Sequence, residues 1–299
     1  MKTIDSIPRM VTFARMMRKE GKAIGFVPTM GYLHEGHASL IRTARKHTDI
    51  VIISIFVNPI QFSPNEDFDK YPRDFKRDEE IARLAGTDVI FYPSAKEMYP
   101  DTFATYVNVE RLTDTLCGAT RPGHFRGVTT VVAKLFGIVK PDIAYFGQKD
   151  AQQSVVIRKM VEDLNMGVEI KVLPTVREDD GLAMSSRNAY LSADERKDAA
   201  ILFQSLKKAQ DAIEAGEADA KKVVKMMEEM ILSRQGHRIE YIRIVDTKSL
   251  ADIKTIAGQA LIALAVRIGT TRLIDNVMVN NMPATGKEID ESGRGRRRV

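Results

Sequence analysis

Asp49-Ile50-Val51-Ile52-Ile53-Ser54-Ile55-Phe56-Val57 is an almost unbroken run of β-branched and aromatic residues. Such a run suits a strand buried on both faces, the habit of parallel sheets covered by helices. Parallel neighbours need long crossovers, and the flanking chain supplies them. Residues 8–19 put Pro8 at a helix start, Met10, Phe13, Met16 and Met17 on one side, and Gly21 after the end. Ala23–Val27, Asp88–Tyr92, Asp142–Phe146 and Val168–Leu173 read as further strands, with a short one within Ala104–Val109. Helices are expected from Ala38, over Arg73–Ala85, behind Gly127, and from the Gly147 turn to about Leu164. This alternation predicts an α/β fold, a Rossmann-like doubly wound parallel sheet over residues 1–175.

Beyond a polar stretch, Val176–Asn188, the character changes. Ser192-Ala193-Asp194-Glu195 reads as a capping box. The helix behind it carries Leu202, Leu206, Ala209 and Ile213, and Gly216 stops it. A second helix has Val223, Met227 and Met230. Strands are expected at Glu240–Val245, Ala260–Val266 and Thr271–Val277. Residues 176–283 therefore read as a second, smaller α+β C-terminal domain, and residues 284–299 as a basic, disordered tail.

Charge supports that division. The net charge is +5, but Arg294, Arg296, Arg297 and Arg298 supply four of it, leaving +1 for the rest. A nucleic-acid role for the tail lacks interleaved aromatics for stacking, so neither nucleic acid nor a membrane is expected as a partner. Cys117 is the lone cysteine, which fits a reducing compartment. There is no secretory h-region at the start and no apolar run near the ~20 residues of a membrane span. A cytoplasmic protein is expected.

The turn after the Ala23–Val27 strand is Pro28-Thr29-Met30-Gly31-Tyr32-Leu33-His34-Glu35-Gly36-His37. A helix start offers free backbone N–H groups and the positive end of a dipole, so phosphate binds there readily. Gly36 permits close approach, and His34 and His37 can donate to charge developing on a phosphoryl group. The same pair also suits metal ligation or loop capping, and the residues alone leave those readings open. In a doubly wound sheet this position is where nucleotides bind.

Other strand ends carry polar groups. Asn58 and Gln61, in Asn58-Pro59-Ile60-Gln61-Phe62, offer neutral amides to a small hydroxyl or carboxylate substrate, although Asn-Pro is also a turn signal. Lys149, behind Gly147, can offset triphosphate charge. Arg121 and Arg126 flank a second glycine turn, a further anion candidate. Ser185, Ser186 and Arg187 suit a phosphate clamp, and Glu178–Gly181 suits a flexible segment closing over a ligand.

Five stretches, in order, resemble the pantothenate synthetase (pantoate–β-alanine ligase) family over residues 1–283: the Pro28–His37 turn, Phe56–Phe62, Arg121–Thr130, Tyr145–Asp150 and Met184–Asn188. The His-x-Gly-His element by itself marks a wider nucleotidyltransferase superfamily. The resemblance implies ATP-dependent condensation of pantoate with β-alanine through pantoyl adenylate, releasing pyrophosphate and AMP. It implies a catalytic role for His37 beside His34, with Lys149. ATP contacts would fall on Met30, Gly31, Tyr32, Leu33, His34, Glu35, Gly36 and His37, on Gly147, Gln148, Lys149 and Asp150, on Val176, and on Met184, Ser185, Ser186 and Arg187. Pantoate would meet Gln61 and Gln153, with Asn58 alongside, and Gln61 would also face β-alanine. Mg²⁺ would accompany ATP, with its ligands unassigned. A cytoplasmic homodimer with a smaller C-terminal lid is implied. A nucleotidyltransferase acting on another small acceptor would share the histidine turn but has no need of the Asn58, Gln61 and Gln153 amides.

Overall fold

The computed structural model describes residues 1–64 and 66–281. The expected tail at 284–299 lies outside the described residues. In chain order the first half runs β1 (Lys2–Ile4), α1 (Ile7–Lys19), β2 (Ile24–Thr29), α2 (Glu35–His47), β3 (Ile50–Ile55), α3 (Phe75–Ala85), β4 (Val89–Phe91), α4 (Ala95–Met98), α5 (Leu116–Thr120), α6 (His124–Val139), β5 (Ile143–Gly147), α7 (Ala151–Asp163) and β6 (Glu169–Leu173). All six strands pair parallel, in the order β1-β4-β3-β2-β5-β6. Helices α1, α6 and α7 cover one face, with Phe26, Ile52 and Phe91 pointing into that core; α2 and α3 cover the other, over Val27, Val51, Ile53 and Ile90. The β-branched runs are thus buried on both sides, as parallel strands require. Strand order reverses between β2 and β5, the switch point at which open α/β sheets bind ligands.

Two expectations need correction, and one strand escapes the sequence pattern: the N-terminal β1 has three residues, too few to show a period. Ala104–Val109 forms no strand: its Val107 backbone N–H donates to Thr130 Oγ1, and its carbonyl accepts from Thr129 Oγ1. Hydroxyls on α6 satisfy the segment that a strand neighbour would otherwise have paired. The capped helix is two helices, α8 (Ala193–Asp198) and α9 (Ile201–Glu214), with a break at Ala199–Ala200; its capping box between Ser192 and Glu195 is present.

The second half continues with α10 (Ala220–Leu232), β7 (His237–Val245), β8 (Gly258–Ile268) and β9 (Thr271–Asn281), an antiparallel sheet in that order. On β8, Ala260, Ile262, Leu264 and Val266 face α9 and α10, while Leu261 and Ala263 face Leu116 and Ala151 of the first half. A strand buried on both faces therefore joins the two halves.

A polar clamp fixes the same junction. Asn276 of β9 donates from Nδ2 to the carbonyls of Gln148 and Lys149, both at 2.9 Å, and accepts from Gln148 Nε2 at 3.1 Å. Beside it Arg177 holds Asp275 with bonds of 2.6 and 3.0 Å and stacks on Phe203. Asn276 is 4% exposed. Asn276→Ala should lower the unfolding free energy by about 2 kcal/mol, the loss of its hydrogen bonds to the Gln148–Lys149 turn. Urea unfolding checks this; a loss under about 0.5 kcal/mol would contradict it.

Candidate active site

The carboxyl ends of β2, β3 and β5 open into one cavity of about 230 Å³. Its floor is the turn between β2 and α2. Gly31 (φ 86°) and Tyr32 (φ 50°) both take left-handed backbone. That geometry aims two successive amides, of Tyr32 and Leu33, at the buried Asp78 carboxylate, at 2.8 and 2.6 Å. Burial raises the Asp78 pKa against the charge-favouring pull of those two bonds.

The two histidines then follow from helix capping. His34 is the N-cap of α2, and its Nδ1 accepts the Gly36 amide hydrogen at 3.1 Å. The His34 amide in turn donates to His37 Nδ1 at 3.3 Å. A side chain at Gly36 would put its Cβ 2.9 Å from the His34 ring, so only glycine lets this cap form. A ring nitrogen that accepts carries no proton, so in both neutral rings the hydrogen sits on Nε2. Burial is the main cause that lowers the pKa of His34 to about 2, followed by His37 and Lys149; burial, then Lys149, lowers that of His37 to about 4. Both rings line the cavity. They are neutral N–H donors at physiological pH, which suits hydrogen bonding to phosphate without the cost of burying two charges.

Lys149 lies on the 3-10 turn Gln148–Asp150 that the Asn276 clamp holds, with its side chain 20% exposed and its Nζ 4.0 Å from Asp150. Gln61 sits on the 3-10 turn Pro59–Gln61 after β3. Its backbone carbonyl bonds His124 Nδ1 at 2.9 Å, and Gln153 of α7 joins it on the wall. Phe56, Val128, Val131 and Val132 make an apolar side. Ser186 donates to the Tyr32 carbonyl at 3.2 Å, while the Ser185 hydroxyl caps the Arg187 amide. Arg187 holds Asp67 with two bonds of 2.9 Å. Burial opposes the charge of Asp67, but those bonds outweigh it and keep its carboxyl below the usual range.

Of the residues expected at ATP, Met30, His34, Gly36, His37, Gly147, Lys149, Asp150, Val176, Met184, Ser185, Ser186 and Arg187 line this cavity, as do Asn58, Gln61 and Gln153. Five expected residues stand behind it. Leu33 is in the core, Gly31 packs on Asp78, and the Tyr32 ring lies under Arg77. Glu35 pairs with Arg42, and Gln148 is tied to Asn276. Of the second anion candidate, Arg121 also lines the cavity, paired with Glu66 and meeting His124, whereas Arg126 stays off the wall and stacks on Tyr106. Within Glu178–Gly181, Glu178 and Asp180 are both bound by Arg196 of α8. Tyr71, His124 and Thr175 also line the cavity; His124 lies within the Arg121–Thr130 stretch, but nothing local in the sequence distinguishes Tyr71.

Residues 2–278 match the family model described as pantoate-beta-alanine ligase. The pantothenate synthetase of Caldicellulosiruptor saccharolyticus is 58% identical over 279 residues, covering 93% of this chain and 99% of that protein. The chain belongs to the pantothenate synthetase family. Another pantothenate synthetase, from Acetivibrio thermocellus, is 57% identical with the same coverage. The crystal structure of pantothenate synthetase from Thermus thermophilus superposes with a TM-score of 0.89 at 43% identity, covering 95% of this chain and all of that one. The ligase from Francisella tularensis, solved with β-γ ATP and β-alanine, gives a TM-score of 0.78 at 35% identity, over 93% and 97% of the two chains.

Histidine tautomers and pKa values in this family member are open to nuclear magnetic resonance. The ring protons of His34 and His37 should hold neutral shifts from about pH 8 to about pH 5, and a midpoint near 6.5 would contradict the geometry. The unfolded chain takes up these protons near pH 6.5 and the folded chain only at about 2 and 4. Their contribution to stability is therefore complete above 6.5 and falls on acidification.

Proposed function

We propose that this chain condenses pantoate with β-alanine at the expense of ATP, forming pantothenate by way of pantoyl adenylate. The observation that carries the reading is one cavity, at the sheet's switch point, that joins two neutral histidine donors and Lys149 to the amides of Gln61 and Gln153. A carboxylate does not acylate an amine at neutral pH, since its leaving group is too poor. In the first step a pantoate carboxylate oxygen attacks the α-phosphorus, the bond to the β-phosphate oxygen breaks, and pyrophosphate leaves. In the second, the β-alanine amine attacks the acyl carbon, the bond to AMP breaks, and the amine loses a proton.

The side chains divide between these tasks. His34 and His37 donate Nε2–H to phosphate oxygens as charge builds on them, and Lys149 adds a point charge. Arg187, with Ser185 and Ser186, receives the phosphates from the opposite side, and Val176 and Met184 flank the nucleoside. Gln61 and Gln153 hold pantoate by neutral hydrogen bonds, which leaves its carboxylate free to attack. The apolar wall of Phe56 and Val128 suits the two methyl groups of that acid. Mg²⁺ would accompany the triphosphate and offset part of its charge. Among the described residues no group of three or more His, Cys, Asp or Glu could hold a metal, but Mg²⁺ on a nucleotide needs only one or two carboxylates beside phosphate and water. Asp150, on the cavity wall, can supply one.

The working protein on this reading is a cytoplasmic homodimer. Its chain divides near residue 176 into a nucleotide- and pantoate-binding part and a smaller part that shelters the adenylate from water. No described helix is long and apolar enough to cross a membrane.

Mixing the protein with ATP, Mg²⁺ and pantoate alone should release pyrophosphate in a burst matching the enzyme, with turnover to AMP only after β-alanine is added. A burst with another carboxylate but not pantoate would keep the nucleotide site and refute the substrate. His37→Ala should slow the burst about 10²–10³-fold, the usual loss for one charge-stabilising donor; a burst at the unmutated rate would remove His37 from the mechanism.

A further inference from the structure

An amide side chain shows either a donor or an acceptor to its ligand, according to which way round it sits. For Gln61 the choice is made behind the cavity. The Gly127 carbonyl, in the first turn of α6, can only accept. It stands 3.1 Å from Asn58 Nδ2. Asn58 is 1% exposed, so reversing it would set two oxygens face to face with no water between them. The NH₂ of Asn58 is thereby fixed, and it also donates to Gln61 Oε1 at 3.0 Å. Asn58 Oδ1 points the other way and accepts from the Tyr99 hydroxyl at 2.7 Å. Burial raises the Tyr99 pKa, which keeps that hydroxyl a donor.

With its oxygen tied, Gln61 turns Nε2 toward the cavity, where it meets Met30 Sδ at 3.1 Å, a weak acceptor. The backbone under it is equally constrained. A Cβ on Gly127 would lie 2.5 Å from the Ile60 carbonyl and 2.6 Å from Gln61 Cα, so α6 touches this turn directly. Tyr99 takes no part in the cavity wall and reaches Gln61 only through Asn58.

We propose that Tyr99 and Asn58 are positioning residues that lock Gln61 as a hydrogen-bond donor, so that the site selects an acid presenting an acceptor oxygen to this amide. This rests on the assignment of Gln61 to pantoate. It adds a polarity to that contact and gives a role to Tyr99, an aromatic residue remote from the sequence motifs.

Pantoate-dependent exchange of pyrophosphate into ATP, measured without β-alanine, isolates the first step. Gln61→Ala should raise the KM for pantoate; an unchanged value refutes the assignment of Gln61 itself. Given that rise, Tyr99→Phe should raise the pantoate KM roughly fivefold, the weight of one hydrogen bond, with the KM for ATP unaltered. Added to Gln61→Ala, Tyr99→Phe should have no further effect. No rise, an equal rise for ATP, or additive effects would overturn the positioning role. A second variant is independent of Tyr99. Gln61→Glu can still accept from Asn58 but shows the cavity an acceptor, so it should bind pantoate more weakly than Gln61→Ala. Binding as tight as the unmutated enzyme would overturn the donor assignment.

Discussion

The Asp78 carboxylate takes two consecutive amide hydrogens, from Tyr32 and Leu33, in a turn where Gly31 and Tyr32 are left-handed. Without a buried acceptor there, neither the amides nor the backbone conformation would be stable. The start of α2 depends on this anchor. The turn delivers His34 to the N-cap of α2, the cap fixes both imidazole tautomers, and the tautomers leave two Nε2–H donors on the cavity. The chemistry at the end of β2 is thus set by α3, which carries Asp78 on the far side of the turn.

The site relies on oriented dipoles more than on charge. Its histidines are neutral, the Gln61 and Gln153 amides on its wall are neutral, and two of its cations have acidic neighbours: Lys149 beside Asp150, Arg187 on Asp67. Fixed donors need no reorganisation when charge appears on a phosphate, and in a cavity shielded from water they act strongly. A neutral site also avoids holding a carboxylate nucleophile in an ion pair that would blunt it. The second half of the chain contributes by position. Asn276 holds the turn that carries Lys149, and Ser186 bonds the turn that carries the histidines, so both cavity-lining loops are braced from outside the parallel sheet.

Much of this was legible in the sequence wherever the cause is local. Strands β2, β3 and β5 announce themselves because residues buried on two faces leave unbroken apolar runs. The histidine turn, the Asn58–Gln61 amides and the Lys149 turn were legible because each directly follows such a run. The hidden contacts are held by partners far along the chain: Asp78 lies 46 residues from Tyr32, Tyr99 41 from Asn58, and Asn276 128 from Gln148. Each is an ordinary polar residue on its own element, and only the fold reveals its partner. Ala104–Val109 failed for the same reason, since hydroxyls of α6 took the bonds that a strand would have used.

On the proposed reaction, this cavity joins a carboxylate oxygen to the α-phosphorus of ATP. The most direct test supplies pantoate labelled with heavy oxygen in its carboxyl group, runs the complete reaction with β-alanine, and weighs the nucleotide product. Attack at the α-phosphorus predicts a single labelled oxygen in AMP and none in pyrophosphate. Unlabelled AMP, or label recovered in inorganic phosphate beside ADP, would mean that the acid is activated elsewhere on the nucleotide and would contradict the account.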